Sequence, residues 1–135
     1  MKNREIKFRA WDIEFETMIY EFTKDGYSVD MQNGDLVVGS TDGNGDYFEL
    51  ELMRFTGLTD KNGKDIYEGD IIQERKDDGE KAKHFCIGSV TFKLGRFVIN
   101  WKPEKDGQIF YSETLYCHNE NSEVIGNIHK NPELL

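Results

Sequence analysis

At 135 residues the chain has the length of one domain, or of two small lobes sharing a core. A chain of this size buries roughly two-thirds of the surface its unfolded form exposes, so a self-sufficient core needs neither metal nor disulfide. Its 26 acidic residues outnumber 17 basic ones for a formal charge of −9, which opposes a phosphate backbone except at a local basic patch and suits solubility. Nine Phe, six Tyr and two Trp argue against a disordered chain, and no apolar run approaches the roughly 20 residues that cross a bilayer. Cys86 and Cys117 lack Cys-x-x-Cys spacing, and no signal-peptide h-region opens the chain. A soluble protein of a reducing compartment, with no membrane role, is expected.

Ile6, Phe8 and Ala10 alternate with Lys7 and Arg9, the period-2 pattern of a half-buried strand that Trp11-Asp12 ends. After a short polar break, Met18, Tyr20 and Phe22 repeat the pattern up to a turn at Lys24-Asp25-Gly26, completing a hairpin. Tyr27, Val29 and Met31 lead to Asn33-Gly34 and then Leu36-Val37-Val38, and Asn-Gly is a strong hairpin signal. Residues 39–45 are rich in turn formers. Residues 47–56 read as a strand, with a seam near 53–57 between an N-terminal β-rich lobe, 1–56, and a second lobe, 57–135.

Asp60-Lys61-Asn62-Gly63 is a tight turn, and Glu68-Gly69-Asp70 punctuates the chain before Ile71-Ile72. Gly63 and Gly69 are expected at positive φ, as scaffold corners. Residues 73–84 carry both charges and almost no apolar side chains, so they read as a solvated loop or hairpin tip. Strand character returns over Phe85–Phe92. A turn at Leu94-Gly95-Arg96 leads into Phe97–Trp101, and Pro103–Gly107 breaks the chain before Ile109-Phe110-Tyr111. Glu123–Ile128 forms the last strand, which Asn131-Pro132 stops. No long stretch holds a 3.6-residue apolar period. The fold class is mainly β, with β-rich α+β as the alternative: an antiparallel N-terminal lobe plus an SH3-like small barrel from about Ile66 to Ile128.

Three stretches resemble one family together. They are Lys7-Phe8-Arg9-Ala10-Trp11-Asp12 with Met18 following, then Phe55-Thr56-Gly57-Leu58 through Asp60-Lys61-Asn62-Gly63-Lys64 to Ile66-Tyr67-Glu68-Gly69-Asp70-Ile71-Ile72, and finally Glu123-Val124-Ile125-Gly126-Asn127-Ile128 with Asn131-Pro132-Glu133-Leu134-Leu135. Their order and separation resemble the YopX family, and the likeness covers nearly the whole chain. The resemblance implies a mainly β fold with a C-terminal SH3-type barrel, a phage or prophage origin, and the bacterial cytoplasm as compartment. It implies no reaction and carries over no catalytic residue. Residues 24–46 and 73–84 match no part of the pattern.

The chemistry-bearing residues give fragments of sites. Asp42-Gly43-Asn44-Gly45-Asp46 resembles the start of a calcium loop, but positions 6 and 12 counted from Asp42 are Tyr47 and Met53, not Gly and Glu. His84 with Cys86, and Cys117-His118, fall short of the four ligands of structural zinc or of a thiol nucleophile with base and orienter. No cofactor and no metal are expected. Trp11, Asp12, Tyr67, Glu68 and Asp70 set aromatics beside carboxylates, as a surface for a basic or peptide partner does. The structural reading of the same residues, which is preferred, makes Trp11 and Tyr67 lids on the core, and Asp12 and Asp70 acceptors of turn amides.

Lys93, Arg96 and Lys102 interleave with Phe92, Phe97 and Trp101 as in single-strand binders, although alternation turns much of that aromatic set inward. Arg4, Lys7, Arg9 and Arg54 offer a second basic face. The candidate interaction surface is Trp11, Asp12, Tyr67, Glu68, Asp70, Lys93, Arg96 and Trp101. The leading expectation is a non-enzymatic module that binds a phage or host protein, with self-association open through strand edges or the terminal Leu134-Leu135. A nucleic-acid binder is the alternative, and a small hydrolase-like enzyme the third reading.

Overall fold

The computed structural model describes residues 5–22, 27–41, 45, 47–76, 84–103 and 111–135. The turn expected at Lys24-Asp25-Gly26, most of the calcium-like loop, Arg4, the His84 side chain, and Ile109-Phe110 lie outside that description. The described residues are built of antiparallel strands, and their helical segments are short 3-10 turns. Among them no helix is long and apolar enough to cross a membrane. The chain divides into two compact units, one of Ile6–Arg54 and one holding Phe55–Leu135.

The first unit contains β1 (Phe8–Asp12), β2 (Thr17–Ile19), β3 (Ser28–Gln32), β4 (Asp35–Thr41) and the first part of β5 (Tyr47–Thr59), in the order β2-β1-β5-β4-β3. Ala10, Val38 and Leu50 form its core, with Phe22, Tyr27 and Leu52 packed against them. The β3–β4 hairpin turns on Asn33 and Gly34, with φ of 52° and 87°. This is the double positive φ that Asn-Gly accommodates. The outward amide of edge strand β3 is blunted where the Asp30 carboxylate accepts the Met31 N–H. Strand β1 departs from the expected alternation. Arg9 and Ala10 are both buried, so both faces are covered where β1 lies between β2 and β5, while Ile6 precedes the strand and is exposed. A basic face containing Arg9 is therefore corrected.

In the second unit the end of β5 pairs with β6 (Asp65–Tyr67) through an irregularity between Phe55 and Thr59, where Gly57 has a φ of 83°. The strands β7 (Asp70–Lys76), β8 (His84–Lys93), β9 (Arg96–Trp101), β10 (Tyr111–Thr114) and β11 (Ser122–Asn127) follow. Their order is β10-β9-β8-β7-β11, a four-strand meander whose fifth strand returns beside the first. Two 3-10 turns, Leu115–Cys117 and Asn119–Asn121, make that return. This is SH3-type topology. Ile66, Ile72, Cys86, Val90, Ile99, Trp101 and Leu115 form the core. Two expected limits move: β5 runs to Thr59, and β7 runs through Gln73-Glu74-Arg75-Lys76, whose backbone pairs with β8 as far as Lys76 opposite His84. Charge at those positions marked a loop, but the ladder is made by backbone and tolerates charged side chains at the open end of a sheet.

The β5–β6 loop is organised by Asp60, a buried carboxylate. Its Oδ1 accepts the amides of Asn62 and Lys64, both at 2.9 Å, and its Oδ2 accepts the amide of Val124 on β11 at 3.0 Å. Around it the Lys61 amide donates to the Ser122 carbonyl, and Asn119 Nδ2 donates to the Thr59 carbonyl, each at 2.9 Å. Gly63, at a φ of 80°, closes the turn onto the Asp60 carbonyl. Gly69 also has positive φ, 83°; its amide donates to Val90 and its carbonyl accepts from Ile128. Replacing Asp60 with Asn leaves one oxygen for three amides and turns an NH2 group toward a donor. The Asp60→Asn variant is expected to lose roughly 2–3 kcal/mol in urea unfolding; an unchanged midpoint contradicts the role of the carboxylate.

Candidate functional site

Alternation along the barrel strands carries polar residues onto the core-facing side. On β7, Glu74 and Lys76 follow Ile72 on one face; on β9, Trp101 follows Ile99; on β10, Tyr111 and Glu113 lie opposite Trp101 and Ile99. Gly88 of β8 is directly opposite Trp101. A Cβ at Gly88 would sit 2.6 Å from Ile99 Cγ2 and 3.0 Å from Trp101 Cε3, so only glycine leaves space for these two side chains. Trp101 is 0 % exposed, and its Nε1 donates to Glu113 Oε2 at 2.8 Å.

His118, at the junction of the two 3-10 turns, meets the indole edge-on, with ring centroids 5.6 Å apart. Its Nδ1 lies 2.8 Å from Glu74 Oε2 and its Nε2 lies 2.8 Å from Glu113 Oε2. A neutral imidazole has one donor, so both carboxylates are bonded at once only by the doubly protonated ring. The two nitrogens leave the ring in different directions and cannot converge on one ion; among the described residues no His, Cys, Asp or Glu trio is arranged for a metal. General-base catalysis needs a ring nitrogen within reach of a substrate proton, and in this arrangement both are spent on carboxylates. The cluster braces β7, β9, β10 and the 3-10 connection.

Lys76 completes it, with Nζ 3.3 Å from the Tyr111 hydroxyl and 5.6 Å from the Trp101 ring centroid. Burial works against the ammonium charge. The hydrogen bond to Tyr111 and the negative fields of Cys86, Tyr111 and Glu113 outweigh it and hold the group above its ordinary 10.5. A lysine pKa raised by folding contributes stability that is complete below the unfolded value and is lost as pH rises through the folded one. Wild type is therefore expected to lose stability more steeply above about pH 10.5 than Lys76→Met does in urea melts; parallel profiles contradict this.

The eight residues expected on an interaction surface are divided between the two units and differ in burial. Trp11 and Asp12 belong to the first unit and the other six to the second. Trp101, Asp12, Asp70 and Tyr67 are buried, Trp11 and Glu68 are half-buried, and only Lys93 and Arg96 are exposed. The buried four are corrected for physical reasons. Trp101 fills the barrel core, and Tyr67 packs against Phe55 with ring centroids 5.5 Å apart. Asp70 Oδ2 accepts the Tyr67 amide at 2.8 Å. Asp12 Oδ1 accepts the amides of Glu14 and Phe15 at 2.9 and 3.2 Å, while its Oδ2 accepts the Tyr27 hydroxyl at 2.8 Å. Arg96 donates through Nη1 to Thr114 Oγ1. Cys86 is buried, Cys117 is exposed, and both are free thiols.

Two features lay outside the expectations. Glu74, Lys76 and Glu113 meet Trp101 and His118 only through strand register, although alternation from Ile72 into Glu74 and Lys76 was the available signal. The other is the β1–β2 turn. There Ile13 is 77 % and Phe15 71 % exposed, flanked by exposed Glu14 and Glu16. Asp12 fixes this turn from below, so its order does not come from packing the two apolar side chains.

A family model described as YopX protein matches residues 7–135. Among solved structures, the crystal structure of protein EF1440 from Enterococcus faecalis is similar to this chain, with a TM-score of 0.56 and 26% sequence identity over 98% of this chain and 99% of that one. No curated protein matches.

Proposed function

We propose that this chain, which belongs to the YopX family, is a non-enzymatic protein-interaction module of phage or prophage origin that works in the bacterial cytoplasm. The observation that carries this reading is the β1–β2 turn, where two large apolar side chains stand in solvent on a backbone whose Glu14 and Phe15 amides both donate to Asp12, itself held by the Tyr27 hydroxyl. Burying such a side chain contributes about 1.5–3 kcal/mol, and a turn ordered beforehand spares much of the entropy cost of docking. His118 and Glu113 support the same reading, because His118 Nε2 and Trp101 Nε1 both bond Glu113 Oε2. A basic and aromatic nucleic-acid face loses support with Trp101 and Arg9 buried.

The tagged protein expressed in bacteria is expected to retain a protein partner at physiological salt. Phe15→Ser should lose that partner, and single- and double-stranded nucleic acid should not be shifted by the wild type. A reproducible, salt-sensitive mobility shift, or retention unaffected by Phe15→Ser, overturns the proposal.

A further inference from the structure

The chain carries a second exposed tip, of opposite charge. At the β8–β9 turn Leu94 is 90 % exposed, and Phe92, Lys93 and Arg96 beside it are also exposed. Leu94 and Gly95 have φ of 52° and 79°, matching the 52° and 87° of Asn33 and Gly34 in the β3–β4 hairpin. The two turns thus make the same conformational demand, and at β3–β4 the chain meets it with Asn, which tolerates the left-handed region. At β8–β9 it places leucine there, which is sterically unfavourable. Leu94 gains nothing from burial in return, so neither packing nor turn chemistry within this chain accounts for it. The β1–β2 tip has a similar anomaly: Glu16 is a non-glycine residue with a φ of 50°. Strain of this kind gathers at sites that act on something else.

We infer that the two tips are complementary and that the occupant of each is a second copy of this chain. Ile13 and Phe15, flanked by Glu14 and Glu16, would pack against Phe92 and Leu94, flanked by Lys93 and Arg96. The net charge of −9 makes two copies repel over most of their surfaces, which singles out the basic tip as the place where an acidic one is attracted. The contact joins different patches on the two copies. Made reciprocally it closes a twofold dimer, and made once per pair it closes a larger ring or continues head to tail. Four apolar side chains and four charges make a small contact, weak and salt-sensitive. This inference rests on the protein-interaction reading of the β1–β2 turn and names its partner.

The test is sedimentation velocity of the whole protein from about 20 µM to about 1 mM, at about 0.02 M and about 0.5 M salt. Average mass is expected to rise with concentration at low salt and to fall back to the monomer at high salt. Phe15→Ser should remain monomeric. Leu94→Asn should separate two effects, raising Tm because the left-handed strain is relieved while abolishing association. The charge-reversed variants Glu14→Lys/Glu16→Lys and Lys93→Glu/Arg96→Glu should each be monomeric alone, and an equimolar mixture should associate. A wild type that stays monomeric at the highest concentration and low salt overturns the inference, as does association that survives these substitutions. If the monomeric protein still loses a cellular partner on Phe15→Ser, the inference has failed and the broader reading of the turn has not.

Discussion

A single buried carboxylate sets the geometry on which the second unit depends. Asp60 gathers the amides of its own loop and that of Val124, so the β5–β6 connection and the last barrel strand are fixed by one side chain. These amides are 62 residues apart along the chain at the extremes, Asn62 to Val124, and an apolar core alone does not specify their register. Hydrogen bonds to an ionised acceptor are directional and stronger than neutral ones. They hold β11 beside β7, which completes the meander. Asn119 and the Ser122 carbonyl bond the same loop from the 3-10 connection, so the segment that places His118 is tied to the same anchor.

From that anchor outward, the polar side chains around Trp101 bond one another. Glycine at position 88 makes room for Trp101, Trp101 donates to Glu113, and His118 spans Glu113 and Glu74. Each bond satisfies a group that would be costly to leave unpaired near the core. Among the exposed large apolar side chains, Ile13, Phe15 and Leu94 stand at hairpin turns. Asp12 does for the β1–β2 turn what Asp60 does for the β5–β6 loop, but here the ordered backbone presents apolar side chains instead of docking onto a strand. The same device, a carboxylate accepting turn amides, serves assembly in one unit and display in the other.

Much of this architecture could be read from local chemistry. Asn33-Gly34, Gly63 and Gly69 announce corners because positive φ is a demand of the backbone itself, and each of these glycines meets it. Asp12 and Asp70 accept turn amides, as residues of their type do beside tight turns. The mainly β class followed from alternation and the scarcity of helical periods. Features that depend on register were hidden. Nothing near Trp101 in sequence indicates Glu113 or His118, and the charged residues Glu74 and Lys76 concealed the continuation of β7. Burial of Arg9 was equally illegible, since alternation assumes one wet face and β1 has two covered ones. Ile13 and Phe15 passed as part of a polar break because their exposure follows from the Asp12 hydrogen bonds.

If the turns carry the function and the His118 cluster the structure, amide and indole NMR spectra separate the two directly. As protein concentration is raised at low salt, shifts are expected at residues 13–16 and 92–96, while the Trp101 indole N–H stays where its bond to Glu113 holds it. Movement of the Trp101 indole signal, with the two turns unchanged, would contradict the assignment and make the barrel cluster the working site.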